Sequence, residues 1–85
     1  DTPAPQKQLL RVSIDRKKRN GKSVTLVESF IGNDNDLKEL SKTLKNKCGI
    51  GGSAKDDEII IQGELKQKVA QILGQLGYKT KIIGG

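Results

Sequence analysis

Apolar residues occupy every second position over Leu10, Val12 and Ile14, with Arg11, Ser13 and Asp15 between them. The same period returns further on, where Val24, Leu26 and Phe30 alternate with Thr25, Val27 and Ser29. Two runs of period two are the signature of paired, half-buried strands, and Asn20-Gly21 between them adopts positive φ readily enough to turn the chain back. The opening of the chain therefore reads as a β-hairpin.

The period then changes. After the turn Gly32-Asn33-Asp34-Asn35, Asp36 with Glu39 three residues later forms a D-x-x-E arrangement of the capping-box kind, and Leu37, Leu40, Leu44 and Cys48 fall on one face at about 100° per residue. A helix is predicted there, with Cys48 as a small core residue in its last turn. Gly49 is placed for the left-handed cap, and Gly49-Ile50-Gly51-Gly52-Ser53 reads as a turn. Ile59-Ile60-Ile61 is a short strand apolar on both faces, hence central in its sheet. A second helix is predicted to begin at Glu64 and to be stopped by Gly77, on the stripe Leu65, Val69, Ile72, Leu73 and Leu76, with Gly74 inside it as a place for close packing, and Tyr78 to Ile83 form a last strand.

The expected fold class is α+β. The element order β-β-α-β-α-β gives a two-layer α/β sandwich, two helices packed on one face of a four-stranded mixed sheet and the other face open. Residues 1–8, polar and with two prolines, read as a flexible tail, and residues 9–85 as a single domain.

Composition sharpens this in two ways. Sixteen Lys and Arg against ten Asp and Glu give a net charge of +6, and the isoelectric point is near 9.6. That balance favours a polyanionic partner. No apolar stretch approaches membrane-spanning length, and Phe30 and Tyr78 as the only aromatics argue against recognition of single strands by stacking. Folded RNA read through its backbone and shape is the better fit. With one cysteine and no histidine, an intramolecular disulfide, a Cys/His metal cluster and His-dependent catalysis are all ruled out, so no metal, cofactor or enzymatic activity is expected. Asp56-Asp57-Glu58, the one local acidic cluster, is read as turn residues ahead of a strand. No hydrophobic signal segment is present, and the expected compartment is the cytoplasm.

The cations are not evenly spread. Arg16-Lys17-Lys18-Arg19-Asn20-Gly21-Lys22 places five of them at the hairpin tip. Tips are ordinarily polar and edge lysines keep sheets apart, yet two guanidinium groups match phosphate oxygens in a bidentate way that a solubilising run does not need. On the first helix Lys38, Lys42 and Lys45 line one edge at i, i+4 and i+7. Alone such a stripe is an ordinary solvated flank; beside a basic hairpin it becomes a second candidate surface.

K-R-N-G-K-x-x-T in the hairpin, L-K-N-K-C-G-I-G-G-S at the end of the first helix and E-I-I-I-Q-G before the second, in that order, resemble the translation initiation factor 1 family of Sui type, specifically its prokaryotic, YciH-like branch. The resemblance runs from about Leu9 to Gly85. It implies a non-enzymatic factor that binds the small ribosomal subunit near the peptidyl site through ribosomal RNA and modulates start-codon and initiator-tRNA selection. It also implies initiator tRNA and other initiation factors as further partners and a monomer off the ribosome. Carried over residue by residue, it implies RNA contacts at Arg16, Lys17, Lys18, Arg19, Asn20, Gly21 and Lys22, at Lys38, Lys42 and Lys45, and at Gly51, Gly52 and Lys55 in the segment after the first helix. The alternatives are a generic structured-RNA-binding module and, from small size and the terminal Gly84-Gly85, a ubiquitin-like modifier. The second helix just before the last strand speaks against the modifier.

Overall fold

Strands β1 (Leu9–Asp15) and β2 (Val24–Glu28) pair antiparallel, Arg11 opposite Glu28 and Asp15 opposite Val24. The structure is a computed structural model that describes residues 3–16 and 23–83. Leu10 and Val12 are fully buried, as their alternation requires. The phase of β2 is the reverse of the one expected. Thr25 and Val27, not Val24 and Leu26, point at the helices, both with no exposed surface. Two local facts explain the reversal. Thr25 is satisfied inside by two hydrogen bonds, described below, so its hydroxyl costs little there. Ser29 adopts φ 71°, which breaks the alternation and swings Phe30 back into the core at 5% exposure.

Helix α1 (Asp34–Cys48) begins three residues earlier than a cap at Asp36 implies, because Asn33 is its cap: the Asp36 N–H donates to Asn33 Oδ1 at 2.8 Å. It ends at Gly49 in the left-handed conformation (φ 66°), whose N–H donates to Lys45 O at 2.8 Å. Leu37, Leu40 and Leu44 are buried, and Cys48 packs at the margin of the core.

The four-stranded sheet expected from the sequence has five strands. The additional one is β3 (Gly52–Lys55), cut from the segment read as a turn, and it pairs antiparallel with β4 (Glu58–Gln62). Glycine conceals it. A Cβ on Gly52 would stand 2.3 Å from Ile60 O, so this position in the ladder admits no side chain and carries no pattern to read. Asp56 and Asp57, both at positive φ (54° and 63°), make the tight β3–β4 turn, which accounts for the acidic pair as turn chemistry.

Helix α2 (Lys66–Gln75) starts after Glu64, leaving that residue outside the helix, and leads into β5 (Lys79–Ile82). Gly74 meets no atom within 4 Å of where a Cβ would be, so the close packing expected of it is absent. The sheet order is β3-β4-β2-β1-β5, with β5 parallel to β1 and the other pairings antiparallel. Both helices lie on one face: Leu37, Leu40 and Leu44 of α1 and Val69, Ile72 and Leu73 of α2 share a core with Leu10, Val12, Val27, Ile59 and Ile61. Burying each such side chain is worth about 1.5–3 kcal/mol.

Ordered structure also precedes Leu9. Pro5–Lys7 form one 3-10 turn, and Gln8 is buried at 2% exposure.

Candidate nucleic-acid interface

The ends of the sheet decide which basic residues can act together. Val24 pairs with Gln62, the Gly63 N–H donates to Ser23 O at 3.0 Å, and the Gln62 N–H donates to Gly51 O at 3.0 Å. Gly51 follows directly on the cap of α1, where the Gly49 and Ile50 N–H groups both reach Lys45 O. Hence Lys45, at the C-terminal end of α1, stands at the end of the sheet from which the first hairpin loop leaves. Lys38 belongs to the opposite end, where it lines a shallow cleft with Lys55, Ala54, Asp34, Leu37 and Asp56. Lys42 lies between the two on the same helix edge. The stripe thus runs the length of α1 on the side of the outer strand β3, and none of its three ammonium groups forms an ion pair among the described residues.

Of the hairpin-tip residues, Arg16 is described; Lys17, Lys18, Arg19, Asn20, Gly21 and Lys22 lie outside the described residues. Arg16 is already engaged. Its Nε and Nη2 donate to Glu64 Oε2 and Oε1 at 3.3 and 3.2 Å, a two-pronged pair between two half-exposed side chains. The Arg16 guanidinium, helped by the Ser23 hydroxyl, holds the Glu64 carboxyl below its ordinary pKa. One carboxylate therefore interacts with residues on both flanks of the loop. Behind it, Thr25 Oγ1 donates to Gly63 O and accepts the Leu65 N–H, each at 2.8 Å. Leu65, the residue that caps α2, has no side-chain cap of its own, and Thr25 supplies one from the neighbouring strand.

Gly51, Gly52 and Lys55 do not form the free loop the sequence suggested. Gly51 O is occupied by the Gln62 N–H, Gly52 is pressed against Ile60 O, and Lys55 is exposed at the far end of β3 beside Lys38. Sequence reasoning overlooked a different group, Arg11, Lys79 and Lys81, all exposed on β1 and β5. The alternation Lys79-Thr80-Lys81 in a strand was the available signal.

Around the Arg16–Glu64 pair a shallow hollow is lined by Ile14, Leu65, Lys66, Gln67 and Lys68. Lys66 Nζ donates to Ile83 O at 3.3 Å. The chemistry on offer is cationic, exposed and non-nucleophilic, suited to phosphate oxygens. Among the described residues no group of His, Cys, Asp or Glu side chains is gathered to hold a metal ion. Among the described residues no helix is long and apolar enough to cross a membrane.

The chain is similar to known proteins over most of its length. Residues 6–79 match the family described as Translation initiation factor SUI1. The chain is 42% identical over 67 residues to a protein translation factor SUI1 homolog of Methanosphaera stadtmanae, covering 79% of this chain and 66% of that protein. A protein translation factor SUI1 homolog of Methanothermobacter thermautotrophicus is 40% identical over 80 residues, 94% of this chain and 78% of its own length. An uncharacterised protein of Synechocystis is 41% identical over 81 residues, 95% of this chain and 73% of its own.

Proposed function

Because this chain belongs to the SUI1 family of translation initiation factors, we propose that it binds the small ribosomal subunit near the peptidyl site through ribosomal RNA and modulates start-codon and initiator-tRNA selection. On this reading it is a cytoplasmic factor without enzymatic activity, monomeric off the ribosome, and its further partners are initiator tRNA and other initiation factors. The observation that carries the reading is the cationic edge of α1, without ion pairs among the described residues: Lys38, Lys42 and Lys45 run along one side of the helix and end where the first hairpin loop leaves the sheet.

The physical account has two parts. Cations facing phosphates set affinity by releasing condensed counterions. Position comes from the root of the loop, where the Arg16–Glu64 pair, the Ser23–Gly63 bond and the Thr25 hydroxyl tie both flanks to the entry of α2. A loop held at its root can stand in the path of a tRNA and yield only to a codon-paired one.

Cosedimentation with purified small subunits, beside a titration of free duplex RNA, tests this. Saturable binding to subunits at salt concentrations that abolish duplex binding is expected. Equal affinity for both would leave a generic structured-RNA-binding module.

A further inference from the structure

The face of the sheet turned away from the helices is electrically divided. Period two along the strands puts Arg11 of β1 and Lys79 and Lys81 of β5 on that face, and the register sets Arg11 directly opposite Lys81 with Leu9 opposite Lys79. Lys7, also exposed, stands just before Gln8, whose carbonyl accepts the Lys79 N–H at 3.3 Å. Elsewhere on that face, Glu28, Asp56 and Glu58 line a hollow with Leu26, Ile60, Ser53 and one cation, Lys55, and Asp15 at the end of β1 borders it.

Like charges directly opposite one another across strands are destabilising, and a merely solvated face intersperses its signs. Here three cations stand together on β1 and β5, while the hollow beside β2 and β4 holds carboxylates in excess over its single Lys55. Arg11 has Glu28 opposite it on its other side, yet neither it nor Lys79 nor Lys81 forms an ion pair among the described residues. Protection of the sheet edge accounts for lysines on β5, which is an outer strand. It does not account for Arg11, one strand further in, where no edge needs guarding.

We propose that Arg11, Lys79 and Lys81 form a second phosphate-binding surface, which takes an RNA backbone running along β5 at the opposite side of the sheet from the lysine edge of α1. This rests on the RNA-binding reading above and extends it. Lys79 and Lys81 are spaced about 6.6 Å apart along the strand by two residues of rise. Glu28, Asp56 and Glu58 outnumber Lys55 in that hollow and repel a polyanion, which favours the β1–β5 half for the bound strand. Since β3 and β5 are the two outer strands, they are offset by about 19 Å across the sheet at a strand spacing of ~4.8 Å, and the two cationic surfaces also lie on opposite faces of it. The protein would then bridge two RNA segments rather than lie against one.

The test carries Arg11→Gln, Lys79→Gln and Lys81→Gln in one chain and, separately, Lys38→Gln, Lys42→Gln and Lys45→Gln. Binding to purified small subunits and to a free RNA duplex is followed across a salt series, with thermal melts as the fold control. The open-face triple is expected to melt like the parent and to lose about two units of log–log salt slope, taking 0.7–0.9 per phosphate contact, additively with the helix triple. An unchanged slope on both RNAs, with the helix triple still flattened, overturns the inference and leaves the RNA-binding reading intact. Aggregation of the open-face triple with an unchanged slope means that the lysines only guard the edge, and also overturns it. If neither triple changes the slope, both readings fall. Should the triple melt early, the Lys79→Gln, Lys81→Gln double decides, with an expected loss of about 1.5 units.

Discussion

Gln8 and Ile31 are joined amide to backbone: Gln8 Nε2 donates to Ile31 O at 3.0 Å, and Gln8 Oε1 accepts the Ile31 N–H at 2.9 Å. The Gln8 amide thus bonds both backbone polar groups of Ile31, and its remaining proton goes to Pro3 O at 3.2 Å. A buried side chain holds the residues before β1 to the loop that leads from β2 into α1.

Replacing Gln8 by alanine removes three hydrogen bonds from a buried side chain, at a cost of about 0.5–1.5 kcal/mol each. Gln8→Ala should therefore lower stability by roughly 2–4 kcal/mol. Denaturant melts measure it, and a loss under about 0.5 kcal/mol would mean that water replaces the amide without penalty.

Thr25 occupies a place that valine fits by shape but not by chemistry. Thr25→Val strands the Leu65 N–H and Gly63 O, both now bonded to the hydroxyl, and should destabilise by about 1–3 kcal/mol. Thr25→Ser keeps both bonds and should lose well under half of that. Equal losses in the two variants would assign the effect to the methyl group.

Gly74 is exposed, helical and free of neighbours at the Cβ position. Alanine there gains helix propensity without a clash, so Gly74→Ala should stabilise by about 0.5–1 kcal/mol. A lower melting temperature would show that the glycine serves something other than the helix.

The hairpin loop is expected to dominate ribosome binding. Alanine at Arg16, Lys17, Lys18, Arg19 and Lys22 should barely change the melting temperature, because exposed charges contribute little. Loss of about four phosphate contacts should flatten the salt dependence of subunit binding by roughly three units, more than alanine at Lys38, Lys42 and Lys45. An unchanged slope with the fold intact would remove the loop from the mechanism.

Burial, with Asp36 nearby, pushes the Tyr78 hydroxyl above its ordinary pKa of 10.0. The folded state then favours neutral tyrosine more than the unfolded chain does. This contribution is complete below the ordinary value and is lost as pH rises through the folded one. Melting temperature should fall more steeply above about pH 10 in the parent than in Tyr78→Phe. Parallel declines would exclude Tyr78 as the cause.

Much of this architecture was legible from period alone. Leu10-Val12-Ile14 gave a strand with the right inward face, and Leu37-Leu40-Leu44 and Val69-Ile72-Leu73 gave two helices on their buried sides. β3 was hidden because its tightest position must be glycine and its turn is built of aspartates at positive φ. The phase of β2 was hidden because an inward threonine is affordable only when its partners are known, and Gly63 and Leu65 lie far along the chain. At the candidate interface, composition and spacing exposed the lysine edge and the charge of Arg16. Its pairing with Glu64, 48 residues away, is a product of the fold. So is the opposition of Arg11 and Lys81, which needs the parallel β1–β5 register.

That register also has a kinetic meaning. Leu9 pairs with Lys79, nearly the whole chain apart, whereas the β1–β2 and β3–β4 hairpins close over short loops. Long closures are entropically the most costly and tend to form last. During synthesis β1 must wait, with its outer backbone groups unpaired, until β5 has left the exit tunnel. A chain truncated before Lys79 would present that edge permanently, which makes such a fragment a candidate for aggregation.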